Sequence, residues 1–324
     1  MGKRSCVLLT VGLLSLGLYS GTHAESRDAP PIRAWLESGP PETRVDVLFV
    51  GDGYQRRHLT RSGKYWRDVG RYAKRLFQDA PFTWCKKMFN VRALFLESKD
   101  AGCIGSSKVE NPQTTLKSKF SGGRFLGFGD PAALKACLEE AGPVDIVFVM
   151  VNTERYGGGG TVLRSIKVRG RPLPAPTFAA RDTQSFLVAV HELGHSFAGL
   201  ADEYVEQGKD SRYPLPKGDK DLRQANVTLA RHIDPGSFET VAATAKWKHF
   251  LTLRGAKRWT WAYEGGYYRD RGVFRPFPRC RMNVLADPFC PVCAEALAKA
   301  IFETCSKAWD GAAYHKAHPL KAWR

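Results

Sequence analysis

The stretch Val144-Asp145-Ile146-Val147-Phe148-Val149-Met150-Val151 decides the fold class. Asp145 is its only polar residue, and the rest is largely β-branched or aromatic. An apolar run of this kind reads as a strand at the centre of a sheet, covered on both faces. Working outward, Pro131 to Ala141 reads as a helix with proline in its first turn. Residues 183–198 read as another helix. Between strand and second helix lies Arg155-Tyr156-Gly157-Gly158-Gly159-Gly160. Successive glycines permit unusual backbone angles and close approach. They fit either a hairpin turn or a loop that lets another backbone lie beside a sheet edge. No Lys-Ser or Lys-Thr pair follows in phosphate-loop spacing. Upstream, Val45 to Val50 reads as a strand ending at Gly51-Asp52-Gly53, and Asn90 to Leu96 as a second strand. Tyr65, Val69, Tyr72 and Leu76 fall at helical spacing within 56–79. Residues 101–130 read as a long loop, 204–240 as polar and irregular, and 292–307 as a last amphipathic helix. Strands alternating with helices over the first two thirds predict an α/β layer arrangement.

The ends carry different information. Lys3 and Arg4 precede an apolar run from Cys6 to Leu18, and Thr22-His23-Ala24 offers a small-x-Ala cleavage site. This is the pattern of a secretory signal over 1–24. The run is shorter than the ~20 residues of a membrane-spanning helix, although an uncleaved anchor is the alternative. Residues 25–43, rich in proline, glycine and charge, read as a leader segment, 44–310 as the folded domain and 311–324 as a tail.

The chain of 324 residues carries 49 Lys and Arg against 32 Asp and Glu, a net charge of +17. Such an excess speeds association with anionic partners. The basic residues are scattered, with no nucleic-acid module, so nucleic acid is not the expected partner. An anionic envelope or acidic substrate suits an exported chain. Beyond Cys6 the cysteines are Cys85, Cys103, Cys137, Cys280, Cys290, Cys293 and Cys305. In an oxidising compartment disulfides are the default. The alternative is a four-thiolate zinc site from Cys280, Cys290, Cys293 and Cys305.

The chemistry is concentrated in His191-Glu192-Leu193-Gly194-His195. On a helix His191 and His195 project one turn apart from one face, so both imidazoles reach a single zinc ion. Glu192 lies beside them, placed to act as general base on a zinc-activated water. The apolar Ser185 to Val190 stretch before them puts the histidines in a buried helix, where they need partners. A third ligand is required. Gly199 and Asp202 keep a Gly-x-x-Asp spacing one residue out of the usual register. Asp202 is the first choice and Glu203 the second.

The segment from His191 to Tyr204 resembles the signature of the IgA-peptidase family of zinc metallopeptidases, which is similar to the metzincins. Val50-Gly51-Asp52-Gly53-Tyr54, Pro81-Phe82, Phe89-Asn90-Val91 and Asp145 to Asn152 with the following glycines also fit that family. So do Asn226-Val227-Thr228, Trp247, Gly272 to Pro276, Cys280-Arg281-Met282 and Cys290-Pro291-Val292-Cys293. The resemblance runs from about residue 46 to 293. It implies a metzincin-like catalytic domain: a twisted mixed sheet with packed helices, an active-site helix, and a smaller irregular C-terminal part from 201 to 310. It implies one catalytic zinc held by His191 and His195, with Glu192 as base and Met282 in a tight turn beneath the metal. Tyr156, Tyr204 and Tyr267, with Gly157 and Gly158, are candidates to contact substrate or stabilise an oxyanion.

The expected activity is that of an exported zinc endopeptidase acting on a peptide or protein. A zinc amidase acting on envelope peptides and a non-catalytic protein that retains zinc are the competing readings. Asn226-Val227-Thr228 is also formally a glycosylation sequon.

Overall fold

The computed structural model describes residues 32–60, 62–208 and 212–320. The signal segment, 1–24, lies outside them. A six-stranded sheet runs in the order β1-β3-β2-β6-β10-β7. Its centre is the predicted apolar strand, β6 (Ile146–Val151), beside β2 (Val45–Asp52). Strand β3 (Phe89–Leu94) lies parallel to β2, and β10 (Thr177–Ala179) parallel to β6. The two edges, β1 (Ile32–Leu36) and β7 (Gly158–Gly159), are antiparallel. The sheet is therefore mixed, as expected.

Strand side chains alternate between faces. Val45, Val47, Phe49, Ile146, Phe148 and Met150 enter one core, and Leu48, Val50, Val147, Val149 and Val151 enter the other. Phe49 and Phe148 are register partners whose rings stack at 5.1 Å. Each such fully buried side chain contributes about 1.5–3 kcal/mol. Helix α1 (Lys64–Leu76) covers the first face with Tyr65, Trp66, Val69, Tyr72, Ala73 and Leu76, one stripe at 3.6-residue spacing. Helix α2 (Pro131–Ala141), opened by Asp130 accepting from Ala133 N at 3.0 Å, covers the second face through Leu134 and Leu138. Helix α3 (Ser185–Ala198) joins α1 on the first face, buried through Phe186, Ala189, Val190 and Leu193.

Two boundaries depart from expectation. Ile32–Leu36, expected within a leader, pairs with β3 as an edge strand. Its alternation is weak because an edge strand needs little apolar surface. Residues 311–317, expected in a tail, form α7 (Gly311–Ala317), which buries Tyr314. Leu320 joins the main core. That core also takes in Trp247, Phe250, Trp261, Met282 and α6 (Pro291–Thr304), so the smaller C-terminal part packs directly on the first face. It carries its own three-stranded sheet, β11 (Thr228–Leu229), β13 (Arg269–Arg275) and β12 (Tyr263–Gly266), in that order.

The long 101–130 segment is mostly irregular, with one short pair, β4 (Lys119–Phe120) and β5 (Leu126–Gly127). It is tied down by Asp52 at the end of β2. This buried carboxylate accepts from Leu116 N, Ser118 N and Thr114 Oγ1, each at 3.0 Å. Among the described residues no helix is long and apolar enough to cross a membrane.

Candidate metal centre

Helix α3 ends at Gly199, whose φ of 64° is left-handed. The N–H of Leu200 then reaches back to Gly194 O at 3.0 Å. This is the αL termination glycine favours. It reverses the chain so that residues 200–203 pass across the face carrying His191 and His195. The consequence is a tight cluster. His191 Nε2 and His195 Nε2 lie 3.1 Å apart, and Asp202 Oδ1 lies 3.0 and 3.2 Å from them.

Both rings are oriented from behind. His191 Nδ1 faces Arg281 O at 2.9 Å, and His195 Nδ1 faces Leu200 O at 2.7 Å. A neutral imidazole so engaged carries its proton on Nδ1, leaving the Nε2 lone pair forward. Asp202 Oδ1 is buried, with the two Nε2 atoms as its close polar neighbours. Three acceptor atoms thus converge where only a proton or a cation can hold them together. Four-coordinate zinc with bonds of ~2.0 Å places its ligand atoms ~3.3 Å apart, so the trio fits such an ion. Without metal, a proton takes that place. Burial opposes charge on His195, but the Asp202 carboxylate outweighs it and lifts the imidazole to about 9. Burial likewise opposes charge on Asp202, and the two imidazoles hold it far below the usual carboxylate range.

The three side chains sit in a cleft of about 770 Å³. Gly158, Val188 and Glu192 line it from the sheet side, and Tyr204, Tyr213 and Tyr268 from the C-terminal part. Below the helix Met282 is fully buried. A Cβ on Gly194 would lie 2.7 Å from its Sδ, so the glycine inside the motif is what lets the thioether approach. Above, the glycine run is packed closely on every side. A Cβ on Gly157 would fall 2.5 Å from Arg124 O, and one on Gly158 2.9 Å from Thr177 O.

The remaining candidates separate. The Gly157 N–H donates to Ser185 Oγ at 3.0 Å and the Gly158 N–H to Arg124 O at 3.1 Å. Both amides are committed, and the outer edge of β7 is bridged by Phe125. These glycines provide close packing and no amide for an oxyanion. Tyr156 and Tyr267 are not among the cleft-lining residues, whereas Tyr204 is. The important tyrosine is Tyr268, which sequence reasoning missed by one position. Its hydroxyl donates to Asp202 Oδ2. Tyr267 and Tyr268, with φ of 51° and 69°, form the two-residue turn between β12 and β13. Left-handed angles at non-glycine residues cost roughly 1–2 kcal/mol each, and this turn spends that energy to aim Tyr268 at the aspartate. The run Tyr263-Glu264-Gly265-Gly266-Tyr267-Tyr268-Arg269 carried the hairpin signal.

Glu203, the second choice for the third ligand, turns away from the histidines. Asn226 Nδ2 and Cys293 Sγ both donate to its Oε1, at 2.9 and 3.2 Å. Asn226 is itself fully buried and its amide is spent on Ala201 and Glu203, so the sequon cannot accept a glycan in the folded chain. No disulfide is formed among the described cysteines.

A helix bearing two histidines and a glutamate, closed by an aspartate beneath the edge of a mixed α/β sheet, defines a metallopeptidase. The chain belongs to the IgA Peptidase M64 family, whose sequence model matches residues 34–260. The resemblance seen in the sequence is borne out over that range; 261–293 lies beyond it. No curated protein matches the chain.

Proposed function

We propose that this metallopeptidase is an exported, zinc-dependent endopeptidase with His191, His195 and Asp202 as ligands and Glu192 as general base. The observation that carries the reading is the convergence of two imidazole Nε2 atoms on one buried carboxylate oxygen. Bound there, zinc supplies positive charge that acidifies a water and polarises the scissile carbonyl. Glu192 lines the same cleft and takes the proton released at the attacking water, then returns it to the leaving amine. Tyr268 acts as a positioning residue, fixing Asp202 through Oδ2. Tyr204 lines the cleft and is the remaining oxyanion candidate.

Export rests on Lys3, Arg4, the apolar run to Leu18 and the Thr22-His23-Ala24 site. The net charge of +17 suits an anionic peptide or surface. The catalytic unit extends beyond 44–310 at both ends to take in β1 and Leu320, which belong to the packed body.

The test compares wild type with Glu192→Ala for zinc content and for cleavage of an unfolded protein, followed by mass spectrometry. Equal zinc with turnover reduced about 10²–10⁴-fold is expected. Unchanged turnover sinks the base assignment. Cleavage confined to short envelope-type peptides would favour an amidase, and a zinc-loaded wild type without turnover would favour a binding protein. An N-terminus at Glu25 on the secreted chain would support export; an intact Met1 on exported material would refute cleavage.

A further inference from the structure

Behind the histidine cluster lies a second convergence of donors. Cys280, Cys290 and Cys293 bring three sulfurs together, and Glu203 adds a carboxylate oxygen, all within 4.8 Å of one another. All four residues are buried. We propose that these side chains form a second, structural metal site for a thiophilic divalent ion of the zinc class. It is distinct from the catalytic site and shares only backbone with it.

Several observations bear on the choice between metal and disulfide. Zinc–sulfur bonds of ~2.3 Å set tetrahedral sulfurs ~3.8 Å apart, within the span of this cluster. A disulfide would use two of the three sulfurs and leave a thiol and a carboxylate buried together. Glu203 Oε2 is buried and has no hydrogen-bond partner among the described residues. A buried carboxylate oxygen in that state is costly unless a cation meets it. The surroundings also favour thiolates. Cys290 caps the N-terminus of α6, a helix of 14 residues, and Cys293 lies in its first turn. Partial positive charge at that end stabilises anionic sulfur. The Cys290 N–H points at Cys280 Sγ at 3.2 Å, a donor aimed at a sulfur acting as acceptor. Asn226 orients Glu203 from the outside, as an outer-shell residue does for a ligand. Cys305, the fourth thiol considered from sequence, sits elsewhere, with its Sγ 3.6 Å from Met88 O.

The placement gives the site a purpose. Glu203 follows Asp202, and its N–H donates to Met282 O at 2.8 Å. Cys280 precedes Arg281, whose carbonyl orients His191. A metal here clamps the irregular segment carrying the proposed third catalytic ligand to the turn that supports the first.

The test is elemental analysis of full-length protein purified without chelator, for wild type and for His191→Ala/His195→Ala. Two zinc ions per wild-type chain and one in the double variant are expected. Cobalt exchanged into the double variant should give an intense thiolate-to-cobalt charge-transfer band, lost on adding Cys290→Ser. Because the double variant lacks the histidine ligands, this readout is independent of the proposed peptidase mechanism. A double variant that binds neither zinc nor cobalt overturns the proposal, as does an intact mass two hydrogens short with a Cys290–Cys293 or Cys280–Cys290 link.

Discussion

A Cβ built on Gly160 would lie 2.1 Å from Glu192 Oε2 and 3.2 Å from Glu192 Cβ. The glycine run and the acidic residue of the motif are thus in direct steric contact, and the carboxylate is seated by the absence of a side chain opposite it. Gly160→Ala should displace that carboxylate while leaving the ligands in place. A shift of about 1 Å in a reacting group costs on the order of 10²-fold. Steady-state kinetics should show a fall of that order in kcat with zinc content unchanged; wild-type kcat would refute the seating role.

Tyr268→Phe removes the hydroxyl that donates to Asp202 Oδ2 and keeps the ring that lines the cleft. Loss of an outer-shell partner typically lowers metal affinity about 10–100-fold. Competition against a chromophoric chelator measures this directly. Tyr267→Phe, one residue away, should leave the affinity within about twofold of wild type. Equal losses in both variants would mean that the turn, and not the hydroxyl, is responsible.

Gly194→Ala introduces a methyl 2.7 Å from Met282 Sδ. Alanine is the better helix former by about 1 kcal/mol, so propensity alone predicts stabilisation. Overpacking costs about 1–3 kcal/mol, and here the helix is wedged between the sheet and the methionine turn. The urea midpoint should therefore fall, and Met282→Ala should cost less in this background than in wild type, because it relieves the overlap. A midpoint that rises would show that the thioether has room to retreat.

Acidity separates the metal-free from the metal-bound protein. In the metal-free chain His195 is raised to about 9 against burial, by its hydrogen bond to Asp202. Its folded-state value lies above the unfolded value near 6.5. Stability from the pair is therefore fully present below about 6.5 and is lost as pH rises through about 9. Metal affinity runs the other way, because the ion must displace that proton. Apparent zinc affinity should climb up to about tenfold per pH unit towards 9, then level off. Parallel denaturation and binding titrations across pH 6–10 give both slopes, and a flat binding profile would remove the proton from the site.

The sequence made the frame readable where physical signals are strong and local. The Val144–Val151 run is too apolar to be anything but interior, and it became the sheet centre. His191 and His195 at i and i+4 can only share a helix face. What escaped depends on the parity of side chains in short irregular segments. Asp202 and Glu203 are adjacent and chemically alike, and extended backbone sends neighbours in opposite directions. Which one meets the histidines is settled by the reversal at Gly199. The same single step separates Tyr267 from Tyr268, because the turn that holds them adopts angles that tyrosine seldom takes. Ile32–Leu36 gave no signal because an edge strand has only one neighbour to satisfy.

The bond from Arg281 O to His191 Nδ1 spans 90 positions of sequence. A polypeptide is made from its N-terminus, so the helix with the histidines emerges long before the turn that orients them. Until that distant carbonyl arrives, the first histidine has no fixed tautomer and Met282 is not yet beneath it. A chain cut short after its histidines would keep the motif and lack the carbonyl that orients His191.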